Sequence, residues 1–134
     1  MDKQILNPEA LVKPAGYSHG VLTRGGRLLF LAGQPASDVN GKIVSPGDIA
    51  AQFTQSFANL KTVVEDAGGA MTDIVKLTLY VTDKEAYLAN LRPIGGAYRT
   101  FFGRYYPAMT LVEVKSLFDA EALVEIDGIA VLPD

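Results

Sequence analysis

The chain has 134 residues, 49% of them hydrophobic and 20% charged, so a single globular domain over 1–134 can bury enough apolar surface to fold without a disulfide or a structural metal. Cysteine is absent and histidine occurs once, which excludes thiolate nucleophiles and Cys-ligated zinc and leaves no expected metal or cofactor. The net charge is −3, and Arg24, Arg27, Arg92, Arg99 and Arg104 are scattered rather than clustered, so no nucleic-acid partner is expected.

The stretch MDKQILNPEALVKP has charges and a proline where a secretory signal needs an apolar core. No window reaches the roughly 18 apolar residues of a membrane span. A soluble, cytoplasmic chain without a membrane partner is the expectation.

In chain order, the first signal is VLTRGGRLLFLAG, two short apolar runs around Gly25-Gly26 that predict a β-hairpin. A looser turn follows at SDVNGK, where Asn40-Gly41 suits a positive φ. Residues 48–66 carry the clearest helix signal. Asp48 can cap it, Gly68-Gly69 follow its last turn, and Ile49, Phe53, Phe57, Leu60 and Val64 recur at helical spacing. Such a stripe needs a broad apolar partner, most simply a sheet. DIVKLTLYVTD then alternates, with Val75, Leu77, Leu79 and Val81 on one face and Lys76, Thr78, Tyr80 and Thr82 on the other. Residues 84–103 read as a second helix interrupted by Pro93 and Gly95-Gly96, either kinked or in two pieces. Strands over 109–115 and 123–132, separated by a turn at 118–121, close the chain.

The order β-β-α-β-α-β-β predicts an α+β two-layer fold, a mixed sheet with both helices on one face. The opposite face would carry Lys76, Thr78, Tyr80, Met109, Leu111, Leu123, Glu125 and Ile129. Large apolar residues mixed with isolated polar ones there point to a symmetric homo-oligomer.

Few residues offer chemistry. Glu125 sits mid-strand in LVEIDGIAV, so its carboxylate either reaches solvent or is buried and suited to general acid–base work. Asp127 shares its parity. His19, the single histidine, lies in AGYSHGV two residues after Tyr17, and that spacing can present a phenol and an imidazole together. The glycines form neither a phosphate-binding loop nor a dinucleotide fingerprint, although Gly33 permits close approach to the backbone.

Taken in order, AGYSHGV, LAGQ, NGKI, QFTQSFANLKTVVEDAGG, DIVKLTLYVTD, YPAMTLVEV and ALVEIDGIAV resemble the RidA/YjgF family, from Asn7-Pro8 almost to the last residue. The resemblance implies a chorismate-mutase-like fold and a barrel-like homotrimer with clefts between subunits. It also implies a small-molecule ligand, which archetypal members hydrolyse as a reactive enamine or imine such as 2-aminoacrylate. Carried over residue by residue, Glu125 matches the glutamate that positions water, Tyr17 the cleft tyrosine, and Gly33 the glycine beside a serine that is Ala32 here. The arginine that holds the substrate carboxylate falls on Met109, and the cleft residue two positions further on falls on Leu111. The cleft asparagine falls on Gly95, or on Asn90 if the few extra residues around 90–96 shift the alignment. His19 stands where many relatives have glutamine.

Methionine supplies none of the bidentate ion pair of an arginine, a loss worth roughly two to three powers of ten in binding. Activity on 2-aminoacrylate is therefore expected to be weak or absent. An apolar floor of Ala32, Met109 and Leu111 would favour a proton-carrying Glu125. Two functions remain open: a RidA-like hydrolase or deaminase of a small enamine or imine, with Glu125 catalytic and Tyr17 and His19 orienting substrate, or a non-catalytic ligand-binding or sensing trimer.

Overall fold

A computed structural model describes residues 2–134. The elements in order are β1 (Asp2–Leu6), β2 (Gly20–Arg24), β3 (Arg27–Pro35), α1 (Ile49–Asp66), a 3-10 turn (Met71–Asp73), β4 (Ile74–Val81), α2 (Lys84–Ala89), α3 (Leu91–Phe102), β5 (Ala108–Glu113) and β6 (Val124–Leu132). Four strands form one sheet in the order β3-β6-β4-β5. Strands β4 and β5 are parallel and joined by the α2–α3 crossover, while β6 runs antiparallel to both its neighbours. The helices cover one face, giving the α+β two-layer arrangement expected.

Helix α1 begins where predicted because the Asp48 carboxylate accepts a hydrogen bond from the Ala51 N–H (3.0 Å). Its apolar stripe, Phe53, Phe57, Leu60 and Val64, is almost fully buried against Leu77, Leu79, Val124 and Ile126 of the sheet. Within this core the Gln52 side chain is also fully buried. Its amide donates to the carbonyls of Ser45 (3.2 Å) and Glu121 (3.1 Å), and its oxygen accepts from the Leu123 N–H (2.8 Å). One side chain thus ties α1 to the loop that leads into β6. Gln52→Leu keeps the volume but strands those three backbone groups, so chemical denaturation should show a loss of roughly 2–3 kcal/mol. A loss below about 1 kcal/mol would mean that water replaces the amide.

Three local expectations are corrected. The turn at Gly25-Gly26 forms, with φ of 73° and 85°, but no hairpin results. Strand β2 pairs with β1, and β3 pairs with the C-terminal β6. Turn chemistry reverses the chain; it does not oblige the flanking strands to bond each other. In β4 the register slips between Ile74 and Lys76, so Ile74 rather than Val75 enters the core. The second helix is in two pieces, but the break lies at Asn90. Pro93 is tolerated in the first turn of α3, where its missing N–H has no intrahelical acceptor to lose, and Gly95-Gly96 lie inside that helix.

The fourth correction matters for the site. Lys76, Thr78, Tyr80, Glu125 and Ile129 share the face away from the helices, as expected. Met109 and Leu111 do not join them: they pair with Leu77 and Leu79, whose side chains are buried beneath the helices. Residues directly opposite in neighbouring strands project to the same face, so register decides what parity within one strand left open.

Candidate functional site

The predicted residues fall into two groups on opposite faces of the sheet. On the open face, Glu125 of β6 lies opposite Pro35 of β3 and Tyr80 of β4. The β3 register shifts between Leu31 and Gln34, so Ala32 and Gly33 occupy an irregular stretch beside Glu125. The carboxylate lies directly over Gly33. A Cβ placed there would stand 2.2 Å from Oε2 and 2.9 Å from Cδ. A side chain at 33 would share the volume of the carboxylate, so the Glu125 side chain would have to turn aside. Among the described residues no donor hydrogen-bonds the Glu125 carboxylate, so both oxygens are available to water or substrate.

Asp127, two residues along the same face, is engaged. It accepts a hydrogen bond from the Tyr80 hydroxyl (3.1 Å), and that bond, reinforced by the negative charge, pushes the phenol above its ordinary range. The two acids of β6 therefore differ in kind: Asp127 is committed to a neighbour and Glu125 is not.

Gly33→Ala is expected to displace the carboxylate by forcing its rotamer. Any activity that depends on Glu125 should then fall about 10- to 100-fold, the usual cost of an ångström-scale misplacement. The thermal midpoint should move little, because position 33 is at an edge strand and half-buried. Unchanged turnover in Gly33→Ala would show that this placement is irrelevant.

On the helix side a cavity of about 270 Å³ opens between α1, α3 and the β4–β5 strands. Met109 and Leu79 contribute from the sheet, Phe53 and Phe57 from α1, and Ile94, Gly95, Tyr98 and Arg99 from α3. Tyr98 is stacked between Tyr106 (centroids 5.2 Å apart, 7° between planes) and Phe102 (4.5 Å, 13°). Its hydroxyl donates to the Tyr105 carbonyl (2.7 Å), and burial pushes it far above the usual phenol range. This phenol stays protonated and serves as a wall. Leu111 packs half-buried against the core beyond the cavity lining.

The lining of the same cavity includes Ala15 and Gly16, which directly precede Tyr17 in the chain, but not Tyr17 or His19 themselves. Residues 15–19 are stitched to the start of β5: the Ser18 N–H and hydroxyl donate to the carbonyls of Pro107 (3.0 Å) and Tyr106 (2.5 Å). The two rings meet edge to face, with centroids 5.3 Å apart, as their spacing suggested. His19 Nε2 donates to the Val12 carbonyl (2.7 Å). Gly95 lines the cavity, whereas the Asn90 amide turns back along α2 to the Ala86 carbonyl (2.7 Å).

Within one chain, then, Tyr17, His19, Gly95 and Met109 gather on one side, and Ala32, Gly33 and Glu125 on the other. The apolar floor of Met109 and Leu111 does not surround Glu125 in the same chain. In the sequence Arg99 is one of five scattered arginines. The signal that points to it is its position on the exposed flank of the α3 stripe Ile94, Tyr98 and Phe102, which packs inward.

These features define a small α+β domain with a four-stranded mixed sheet, a half-buried, unpartnered glutamate on the open face and an aromatic cavity under the helices. The family model described as endoribonuclease L-PSP matches residues 8–132, and the chain belongs to this family, the RidA/YjgF family. A RutC family protein of Pyrococcus abyssi is 35% identical, over 97% of this chain and 98% of that protein. The 2-iminobutanoate/2-iminopropanoate deaminase of Escherichia coli strain K12 is also 35% identical, over 98% of each chain. A crystal structure of a conserved Rid-family protein from Yersinia pestis superposes with a TM-score of 0.87 at 36% identity, covering 98% of this chain and all of that one.

Proposed function

We propose that the chain is a hydrolase of small enamine or imine metabolites, with Glu125 positioning and deprotonating the attacking water. The observation that carries this reading is the unpartnered Glu125 carboxylate held over Gly33. Water adds to the C=N carbon as Glu125 takes its proton. The proton passes to nitrogen, the C–N bond of the resulting carbinolamine breaks, and ammonia leaves a carbonyl product. Enamines enter the same route after tautomerising to the imine. The deaminase name of the 35% identical relative supports this chemistry.

A complete site on this reading needs two copies. Leu28 and Phe30, 65% and 71% exposed, flank the open sheet face together with Ile129. Burying that face in a cytoplasmic homotrimer would bring Glu125 and Gly33 of one subunit against the Tyr17, His19 and Met109 side of the next. Ala32 and Leu111 complete the predicted lining. The non-catalytic reading draws on Met109, which offers no charge where the family resemblance implies a carboxylate-binding arginine.

The test is ammonia release from a panel of 2-imino acids, formed in place by an amino-acid oxidase, and of neutral imines. Hydrolysis above the spontaneous rate is expected for at least one class, with 2-aminoacrylate a poor substrate. If every member decays at the buffer rate, the hydrolase reading falls and the binding trimer replaces it.

A further inference from the structure

We propose that Arg99 is the carboxylate anchor of the cavity, and that its aromatic walls select acids bearing a bulky apolar or aromatic side chain. This deepens the hydrolase reading and rests on it for the reaction, though not for the binding. Among the residues lining the cavity Arg99 is the single charged side chain, with no carboxylate beside it. Among the described residues no acid lies within ion-pair distance of its guanidinium, and no hydrogen bond occupies it. The cavity therefore offers one uncompensated positive charge above a lining of rings, the arrangement complementary to an anion with an apolar body.

Arg99 is itself exposed, and the local sequence explains how its guanidinium lies back along the helix at the mouth of the cavity. Side chains of a helix lean toward its N-terminus, so Arg99 extends over the residue four positions earlier. That residue is Gly95, followed by Gly96. A Cβ on Gly95 would lie 3.4 Å from one terminal nitrogen of Arg99, and a Cβ on Gly96 4.0 Å from the other. Both distances are ordinary van der Waals contact, so the guanidinium lies along the Gly95-Gly96 surface of α3, and the helix dipole favours a cation in this last turn.

Substrate size follows from the walls. Half-buried Tyr87 and Tyr106 supply ring surface, Phe53, Phe57 and Tyr98 are buried behind them, and Met109 gives the floor a flexible thioether. A three-carbon acid held at Arg99 would leave most of the 270 Å³ unfilled, whereas a benzyl or isobutyl group occupies it. With Met109 uncharged on the floor and Arg99 on α3, the positive charge lies to one side and the floor is free for such a group.

The experiment measures binding of 3-phenyl-2-oxopropanoate, a 2-oxo acid that cannot be deaminated, by calorimetry on the intact protein. Its neutral amide and 2-oxobutanoate serve as comparisons. The wild type is expected to bind the phenyl acid at least ten-fold more tightly than either comparison. Arg99→Met should weaken the phenyl acid about 10- to 100-fold without changing affinity for the amide, and Arg99→Lys should recover part of the loss. If an imine substrate is identified, the same variant should raise KM far more than it lowers kcat. Equal binding of the acid by wild type and Arg99→Met, equal binding of acid and amide by the wild type, or no binding of the acid at millimolar concentration would each overturn the proposal. Because the probe does not react, a protein that hydrolyses no imine can still pass this test, and one that hydrolyses imines can fail it.

Discussion

Glu125→Gln is expected to lower imine turnover by about 10²- to 10⁴-fold, the range for removing a positioned general base. The amide is isosteric with the carboxylate, so it can lie over Gly33 in the same way. It still hydrogen-bonds water but cannot remove its proton. Because no described donor binds the carboxylate, no structural hydrogen bond is lost, and the thermal midpoint should stay within a few degrees of the parent. Binding of an unreactive 2-oxo acid should also persist, since the proposed anchor is Arg99. The measurement is steady-state ammonia release alongside thermal unfolding and calorimetry. Unchanged turnover in Glu125→Gln, on any substrate the wild type hydrolyses, would remove the glutamate from the mechanism.

The second large effect is on stability. Phe57 is 1% exposed and sits among Phe53, Tyr98, Phe101 and Phe102 with ring centroids 5.5–6.0 Å away. Truncation to alanine removes its transfer energy and its edge-on ring contacts, and it leaves a hole joined to the existing cavity. A loss of about 3–5 kcal/mol is expected by chemical denaturation at fixed protein concentration. Phe57→Leu, which refills part of the volume, should recover roughly half. A loss below about 1.5 kcal/mol for Phe57→Ala would show that α1 and α3 collapse into the space, and that the cavity is not held open by a rigid aromatic frame.

The two substitutions separate the functions of the two sheet faces. One changes chemistry on the open face with the fold intact. The other attacks the frame that shapes the cavity and aligns α3, and with it Arg99. If ligand binding is lost in Phe57→Ala at concentrations where the protein remains folded, the aromatic cluster contributes to recognition as well as to stability.

Much of the architecture was legible because its causes are local. Asp48, the stripe from Ile49 to Val64 and the glycines after it specify the eighteen residues of α1, using capping, periodicity and a stop signal that need no distant partner. The alternation from Leu77 to Val81 identifies a strand in the same way, and seven motifs in order identified the family. Glu125 was legible as a candidate because an acid amid Leu123, Val124, Ile126 and Ile129 is chemically out of place. The pairing of Tyr17 with His19 was legible because two residues is a short reach.

By itself, then, the sequence determined the helices, the existence of the main strands, the family and the acid worth testing, all of which rest on neighbours in the chain. The tertiary structure alone decided which strands bond, and so which face each residue takes. It sent β3 to β6 and not to β2, and it placed Met109 and Leu111 beneath the helices, away from Glu125. It also placed the exposed Arg99 at the mouth of an aromatic cavity, as the single charged residue of its lining. The physical reason is common to all three. Strand register and cavity shape arise from contacts between residues tens of positions apart, and a periodicity of two states that faces alternate without saying which face is which.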